Sequence, residues 1–346
     1  MEIGIYTFAD LCRNPHTGEG IGAKQRLREI VDAAKLADEA GLDVFGVGEH
    51  HRLEYAASAP AIVLSSVAQV TKRIKLTSAT TVLGTIDPVR LFQDFATLDL
   101  LSDGRAEIIA GRGAFRESFP LFGYDVALYD ELFQEHLELL LQLRASEKIT
   151  WSGRHRPALE QADIAPRPAQ SEIPIWVAVG SSVDSAARAG KLGTHLAIMA
   201  LGGSPYRFQP FVEAYREAAA ESGHDAGKLK IGVTSHAYIA KTSKQARDEF
   251  YPYYMNYWKE NNRQHGMISR LTRTEYEWMS APDTVLFVGS TQQIVEKILR
   301  QHEMFGHQRF IAQVDIGGIP FGKVASTIER LALEVAPAVR KALRTN

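Results

Sequence analysis

The stretch LTSATTVLGTIDPVRLFQDFATLDLLSDGRAEIIAGRG covers residues 76–113 and has the pattern of a strand, a loop, a helix, a tight turn and a second strand. Neighbouring parallel strands are joined by a crossover that is usually a helix, and such units are right-handed. Asp87 precedes Pro88, which pairs a capping side chain with proline at the first helical position. The stretch therefore predicts one βαβ unit of a parallel sheet.

Polar residues stand at the ends of both strands of this unit. Ser78, Thr80 and Thr81 end the first strand, and Arg112 lies between two glycines after the second. Ligands of parallel α/β folds bind at the carboxyl ends of the strands, which favours a binding role for these residues. Threonine also suits strands in general, and a glycine turn can carry a solvated arginine, so the structural interpretations stay open.

Strand and helix patterns alternate along the rest of the chain. Eight stretches have strand character: 2–8, 43–48, 74–82, 105–110, 174–180, 195–200, 229–240 and 309–314. Helical periodicity separates them. This order predicts an α/β fold of the (β/α)8 type, a TIM barrel, with insertions after strands four and seven. We expect residues 1–346 to form one domain, because such barrels are large single domains and no change of composition marks a linker.

Four segments outside this regular pattern carry expectations of their own. Residues 149–156 are predicted to form a small hairpin. Residues 245–262 are predicted to form a helix rich in aromatic side chains, which is more typical of core packing than of a wall around a bound ring. The loop 114–128 and the insertion 261–283 are candidate lids over the barrel mouth.

Composition excludes several classes of protein. The 346 residues carry a net charge of −2, and basic and acidic residues are interspersed, so nothing indicates a nucleic-acid partner. No apolar run approaches the roughly 20 residues that cross a membrane, and the first residues resemble a strand rather than a signal peptide. We therefore expect a cytoplasmic protein. Cys12 is the single cysteine, which excludes an internal disulfide and a cysteine-based metal site.

The run Glu49-His50-His51-Arg52 directly follows the second predicted strand. Successive residues of a strand point to opposite sides, so we expect only one of the two histidines to face a pocket. A pocket or catalytic role is favoured over an ordinary structural role. A His–Glu–His metal cluster is a further alternative, but one short run does not supply three ligands, and we predict no metal site.

Gly180, Ser181 and Ser182 stand between the fifth predicted strand and the next helix. The amino end of a helix with small hydroxyl side chains binds anions, although a serine there is also an ordinary N-cap. Arg112 ends the neighbouring strand of this topology, and a guanidinium forms paired hydrogen bonds with phosphate. Together these residues predict a phosphate site.

The chain resembles the bacterial luciferase-like flavin-dependent monooxygenases. Three segments carry the resemblance: GLDVFGVGEHH at 41–51, SATTVLGTIDPVRLFQDFATLDLLSDGRAEIIAGRG at 78–113 and IPIWVAVGSSVDSAARAGKLG at 173–193. They cover the N-terminal half in the order and spacing of the family, whereas the C-terminal third matches loosely. The resemblance implies a TIM barrel that binds reduced FMN, and because no nicotinamide-binding GxGxxG follows a strand, we expect a separate flavin reductase to supply it. The flavin would react with O2 to give a hydroperoxide that oxygenates a small organic substrate.

The resemblance also implies a set of cofactor-binding residues. These are Ala79, Thr80, Arg112, Gly180, Ser181 and Ser182. Within this set, Arg112 and the two serines would meet the FMN phosphate, and Ala79-Thr80 would line the isoalloxazine through a non-proline cis peptide bond. Gly180 stands where luciferase itself has a glutamate.

His50 matches the active-site histidine of the family. An ordinary histidine pKa near 6.5 would suit it for general acid–base catalysis. Gly111 stands where luciferase has a reactive cysteine, and together with Gly180 this departure argues against light emission. Barrels of the family often pair through their early helices, so we expect a homodimer.

Three alternatives remain open at this point. A deazaflavin-dependent hydride-transfer enzyme would use the same barrel, but its coenzyme has a long acidic tail that needs extra basic residues at the mouth. A flavin-binding protein without turnover is the second alternative. A barrel hydrolase needs two acids at strand ends, for which Glu49 and Asp315 are the candidates. No GxGxxG follows a strand, so no nicotinamide site is predicted.

Overall fold

The computed structural model describes residues 1–264 and 272–345. Its strands are β1 (Glu2–Thr7), β2 (Val44–Val47), β3 (Lys75–Ser78), β4 (Thr81–Val82), β5 (Ala106–Gly111), β6 (Lys148–Trp151), β7 (Leu159–Asp163), β8 (Ile175–Val179), β9 (His195–Met199), β10 (Ile231–Ala240), β11 (Phe287–Ser290) and β12 (Arg309–Gln313). Eight of them pair in parallel in the order β1-β2-β3-β5-β8-β9-β10-β12, and β12 pairs with β1 to close the ring. This topology confirms the predicted TIM barrel.

Helices follow the barrel strands and cover their outer surface. They are α1 (Ala23–Ala40), α2 (Pro60–Ala68), α3 (Pro88–Leu101), α4 (Ser118–Leu121), α5 (Tyr129–Ala145), α6 (Val183–Lys191), α7 (Gln209–Glu221), α8 (Ser243–Gln264), α9 (Arg273–Met279), α10 (Thr291–Phe305), α11 (Phe321–Arg330) and α12 (Ala336–Thr345). Asp87 caps α3 as predicted, because its carboxylate accepts hydrogen bonds from the backbone N–H groups of Val89 and Arg90. No helix in the described part of the chain is long and apolar enough to cross a membrane.

Side chains alternate between the inside and the outside of the barrel along each strand. The inside holds a small apolar cluster that consists of Tyr6, Val44, Ala79, Ile109, Trp176, Ala197 and Ile311. The outward-facing residues pack against the helices in a much larger core. The interior is therefore filled below the mouth, and space for a ligand lies above this cluster.

Charged residues close the opposite end of the barrel, where the strands begin. Arg309 Nη1 lies 2.5 Å from Glu107 Oε2, and Arg309 Nη2 lies 2.6 Å from Glu2 Oε2. Lys75 Nζ lies 2.6 Å from Glu2 Oε1 and 3.3 Å from Glu107 Oε1. Burial would raise the pKa of Glu107, but Arg309 and Lys75 lower it to about 2. This cluster is a paired structural element remote from the mouth.

The third predicted strand is interrupted in the structure. β3 ends at Ser78, β4 begins at Thr81, and the Ala79–Thr80 peptide bond between them is cis, as the resemblance implied. Both pieces pair with β5, so the interruption leaves the barrel closed. It places Ala79 and Thr80 at the mouth in a conformation that a continuous strand would not give them.

The predicted hairpin at 149–156 has the wrong boundaries. β6 and β7 pair in an antiparallel ribbon, and residues 152–158 connect them. The seven-residue connection is longer than the tight turn that Ser152 and Gly153 would predict, and the register of the ribbon shifts between Ile149 and Trp151. This ribbon and α4 and α5 form the insertion expected after the fourth barrel strand.

The insertion after the seventh barrel strand contains more regular structure than the sequence predicted. α8, α9 and β11 lie between β10 and α10, and β11 pairs in parallel with the last residues of β10. The predicted lid at 261–283 includes residues 265–271, which lie outside the described residues. Its described part carries α9 instead of an irregular loop.

Candidate active site

A cavity of about 760 Å³ opens at the carboxyl ends of the barrel strands. Its size is within the range of about 300–1,000 Å³ that is common for small-molecule sites. Six of the seven predicted catalytic and cofactor-binding residues line it: His50, Ala79, Thr80, Arg112, Gly180 and Ser181. Ser182 lies just behind the cavity, where its hydroxyl caps α6 by accepting a hydrogen bond from the backbone N–H of Ser185 at 3.3 Å.

Glycines allow the floor of the cavity to form. A Cβ atom at Gly46 would lie 2.8 Å from Ala79 Cβ, and a Cβ atom at Gly111 would lie 2.6 Å from Thr80 Oγ1. A larger residue at either position would therefore displace Ala79 or Thr80. The close approach of Thr80 explains why β5 ends in a glycine, Gly111.

Arg112 reaches one end of the cavity and already has an acidic partner. Its Nη1 atom lies 2.5 Å from Asp130 Oδ1, and its guanidinium carbon lies 5.5 Å from the centre of the Tyr129 ring. Tyr129 is itself fixed, because its hydroxyl donates a hydrogen bond to the Gly113 carbonyl at 2.7 Å. Asp130 and Tyr129 begin α5, far from Arg112 in sequence, and sequence reasoning did not find them.

His50 is buried in an aromatic environment. Its ring stacks on Tyr55 at 4.0 Å between centroids and lies 4.7 Å from Phe8. Its Nδ1 atom is buried and has no hydrogen-bond partner among the residues that the structure describes. Burial first, and then the charges of Arg52 and His51, lower the pKa of His50 to about 3. This pKa lies well below the ordinary histidine value of 6.5, so the ring is neutral at pH 7.

His51 lines the cavity together with His50, so the expectation that only one of the pair faces the pocket is wrong. β2 ends at Val47, and the residues after it no longer alternate as a strand does. His51 Nε2 lies 2.8 Å from Glu49 Oε1. Glu49 Oε2 accepts a hydrogen bond from the backbone N–H of Val82 at 3.0 Å. The Glu49 side chain thus connects His51 to β4.

The aromatic helix serves both the core and the cavity. Phe250, Tyr253 and Tyr254 are buried in the core, as the sequence predicted. One turn later, Tyr257 and Trp258 line the cavity. A wall with this composition suits an apolar or aromatic part of a ligand.

Two alternatives, a hydrolase and a metal site, find no support in the contacts of the residues they would need. Arg26 Nη2 lies 2.6 Å from Asp315 Oδ2, and Glu49 is bonded to His51 and Val82, so no free carboxylate pair supports a hydrolase. Over residues 1–264 and 272–345, no group of three or more histidine, cysteine, aspartate or glutamate side chains is arranged to hold a metal ion. Burial, and then Asp10, raise the pKa of the Cys12 thiol, which keeps it protonated.

The family model for luciferase-like monooxygenases matches residues 1–308. The chain belongs to the luciferase-like monooxygenase family. It is a flavin-dependent oxidoreductase of the monooxygenase type, as the resemblance implied. The oxygenase component of the flavin-dependent trigonelline monooxygenase of Acinetobacter baylyi is 24% identical over 337 residues, covering 91% of this chain and 90% of that protein. The N-acetyl-S-alkylcysteine monooxygenase of Bacillus subtilis is 31% identical over 179 residues, covering 51% and 52% of the two chains.

Solved structures share the fold of this luciferase-like monooxygenase. The monooxygenase RslO1 from Streptomyces bottropensis has a TM-score of 0.84 at 23% identity, covering 97% of this chain and 99% of that chain. The oxygenating constituent of 3,6-diketocamphane monooxygenase from Pseudomonas putida, solved with FMN, has a TM-score of 0.77 at 21% identity, covering 97% and 98%. An F420-dependent secondary alcohol dehydrogenase has a TM-score of 0.75 at 18% identity, covering 98% and 99%.

Proposed function

We propose that the protein is a monooxygenase that uses reduced FMN and O2 to oxygenate a small organic substrate. The observation that carries the proposal is a group of anion-binding donors that lines the same cavity as Ala79 and Thr80. Arg112, Ser181 and the amino end of α6 form the anion site, and Ala79 and Thr80 form the floor. Bound FMN would supply the redox chemistry, and the residues of the chain would bind it, orient it and exclude water.

The donors at the anion site match a phosphate group. Arg112 offers a guanidinium, Ser181 a hydroxyl, and the first turn of α6 its backbone N–H groups, of which that of Ser185 is bonded to Ser182. Gly180 brings its backbone to the same wall without a side chain in the way. Ser182 contributes as the cap of α6 and would support the phosphate through the helix instead of contacting it directly.

FMN is preferred to the deazaflavin coenzyme F420 because few cations line the cavity. Among the described residues, Arg112 and Arg207 are the arginines that line it, and no lysine does. The long acidic tail of the deazaflavin would need more positive charge than this. The flavin-dependent relative and the FMN-bound neighbour support the same choice. The F420-dependent neighbour, with its similar fold, makes hydride transfer on the deazaflavin the second candidate.

His50 is proposed to act as a neutral group in this site. A neutral imidazole can orient a reactant by hydrogen bonding, but with a pKa of about 3 His50 is not an imidazolium at pH 7 and does not serve as a general acid. Phe8, Tyr55 and the other rings around it shield the reaction from water. The apolar wall that includes Trp258 would take the carbon skeleton of the substrate.

The proposal also includes a flavin reductase as partner and a homodimer. The name of the Acinetobacter relative, an oxygenase component, supports a separate protein that delivers reduced flavin.

Leu53 is 97% exposed and Ile62, in α2, is 71% exposed, and a second copy of the chain would cover such apolar side chains. Light scattering on the purified protein measures the oligomeric state. The cytoplasmic location stays a prediction.

Equilibrium titration with FMN, riboflavin and F420 tests the cofactor assignment. We expect FMN to bind more tightly than riboflavin, because only FMN has the phosphate. In Arg112→Gln this preference should shrink, while riboflavin affinity stays nearly constant. Arg154→Gln, which removes an exposed arginine of the β6–β7 connection, is the matched control. Binding of F420 without binding of FMN would replace the main proposal with its second candidate.

A further inference from the structure

Glu49 makes three hydrogen bonds that join the two walls of the cavity. Its backbone N–H donates to the Thr80 carbonyl at 3.1 Å. Its Oε2 atom accepts from the Val82 N–H at 3.0 Å, and its Oε1 atom lies 2.8 Å from His51 Nε2. The side chain is 6% exposed, so these contacts are made away from bulk water. His51 is thus held in a fixed position relative to the floor of the cavity.

The contact with Glu49 also determines which nitrogen of His51 carries the proton. An ionised carboxylate has only acceptors, so the nitrogen beside it must be the donor. Nε2 therefore carries a hydrogen, and in the neutral ring Nδ1 is left as an acceptor. No described residue bonds Nδ1, and the residue lines the cavity. Nδ1 is therefore the atom of His51 that can still accept a proton.

We propose that Glu49 is a positioning residue that sets His51 in its Nε2–H form, and that His51 is the side chain that accepts a proton from a reactant in the cavity. The proton would pass from an O–H or N–H group of the reactant to His51 Nδ1, and the bonding pair would stay on the reactant. The resulting imidazolium keeps its Nε2–H bond to Glu49, whose charge balances it. The identity of the reactant rests on the proposed function, but the geometry of the pair does not.

His50 has different surroundings from His51. Its ring is stacked between aromatic side chains, and its Nδ1 atom is buried without a partner among the described residues. No carboxylate is bonded to it to balance an added proton, whereas His51 has Glu49 at 2.8 Å. The two adjacent histidines therefore take different parts, with His50 as neutral wall and His51 as proton acceptor.

The substitution Glu49→Gln tests the assignment, because it keeps the shape and reverses one hydrogen bond. The Val82 N–H can only donate, so it will hold the amide oxygen of the new side chain. The amide NH2 group must then face His51 Nε2 and donate to it. His51 Nε2 becomes an acceptor, and the ring proton moves to Nδ1. The inversion is a consequence of this geometry that a merely space-filling role of Glu49 would not produce.

Nitrogen NMR on protein labelled with 15N-histidine reads out the tautomer directly, without flavin or substrate. The signals of His51 are assigned among the eleven histidines by their loss in His51→Gln. At a pH where the ring is neutral, we expect Nε2 protonated in the wild type and Nδ1 protonated in Glu49→Gln. Glu54→Gln, which removes a carboxylate from the same loop, should leave the His51 signals unchanged. A wild-type ring protonated on Nδ1, or an unchanged tautomer in Glu49→Gln, overturns the proposal.

A second measurement connects the tautomer to function. With reduced FMN bound, the oxygen-dependent rate in Glu49→Gln should fall by at least about 10-fold, since a correctly placed general base contributes roughly 10²–10⁴-fold. FMN affinity should stay within about two-fold, since the phosphate contacts are untouched. An inverted tautomer with an unchanged rate would overturn the role of His51. Failure of the wild type to bind FMN would overturn the proposed function but not the tautomer assignment, because the NMR experiment needs no cofactor.

Discussion

The guanidinium of Arg112 and the carboxylate of Asp130 meet at 2.5 Å on the rim of the cavity. Asp130 is 65% exposed and lies in the first turn of α5, whereas Arg112 is 23% exposed and lines the cavity. In the proposed function the same guanidinium binds the FMN phosphate. If Arg112 binds the phosphate as proposed, Asp130 competes with the phosphate for the guanidinium.

Asp130→Asn is expected to strengthen FMN binding. Exposed ion pairs contribute up to about 1 kcal/mol, so the gain in FMN affinity should be about five-fold or less. Riboflavin lacks the phosphate, and its affinity should not change. Fluorescence titration of both flavins measures the two effects in one experiment.

Glu138→Gln serves as the control for this prediction. It removes a half-buried carboxylate from the same helix, and that carboxylate contacts Gln134 instead of Arg112. Its FMN affinity should equal that of the wild type. Weaker FMN binding in Asp130→Asn would mean that Asp130 supports the phosphate site by orienting Arg112 more than it competes for it.

Glu107→Gln is expected to destabilise the barrel strongly. The substitution leaves the Arg309 guanidinium buried without its main partner, and breaking a buried pair from one side costs about 3–5 kcal/mol. Urea denaturation measures the loss in the free energy of unfolding. Glu39→Gln removes a carboxylate 3.9 Å from Lys35 on the surface of α1 and should cost less than about 0.5 kcal/mol. Similar losses in the two variants would show that the charged cluster is not a stabilising element.

The Glu107 pair also predicts an acid dependence of stability. The pKa of Glu107 is about 2 in the folded protein, below its ordinary value of 4.5. The stabilisation is therefore complete above pH 4.5 and is lost as the pH falls from 4.5 towards 2. Over that range the unfolding free energy of Glu107→Gln should vary less with pH than that of the wild type. Parallel curves would contradict the lowered pKa.

His50 predicts a second pH effect at milder acidity. Its pKa is about 3 when folded, against an ordinary value of 6.5, so the unfolded chain binds a proton first as the pH falls. The stability associated with the neutral ring is present above pH 6.5 and is lost as the pH falls from 6.5 towards 3. By pH 5 this loss amounts to about 2 kcal/mol.

His50→Phe removes the titrating group and keeps an aromatic ring in the same environment. Its unfolding free energy should fall by about 2 kcal/mol less than that of the wild type between pH 7 and pH 5. Chemical denaturation at both values measures the difference. Equal losses in the two proteins would place the His50 pKa near its ordinary value and return it to the role of an acid–base catalyst.

The barrel was predictable from sequence because its determinants are local. Strand and helix periodicity, the Asp87-Pro88 cap and the polar strand ends each depend on a few neighbouring residues. The sequence also identified most of the strand-end residues that line the cavity. β11 was missed, because four residues beside a longer strand carry no distinct periodic signal, and its pairing with β10 is a tertiary contact.

The partners of the site residues were not predictable in the same way. Asp130 is 18 positions from Arg112, and Val82 is 33 positions from Glu49, so only folding brings these groups together. The pKa of His50 depends on burial among rings from several loops, which no local pattern encodes. A helix start rich in acids, such as Asp130 and Glu131 in α5, was the available signal for a carboxylate near the mouth.

Mixing the anaerobic complex of the protein and reduced FMN with O2 is the decisive test of whether the protein is an FMN-dependent monooxygenase. We expect reduced FMN to bind and O2 to be consumed. The bound flavin should return to its oxidised spectrum in two phases, and the second phase should be slower than the re-oxidation of free reduced FMN. A parallel sample with reduced F420 should show neither binding nor O2 consumption. Re-oxidation indistinguishable from that of free FMN, or binding of reduced F420 alone, would contradict the account.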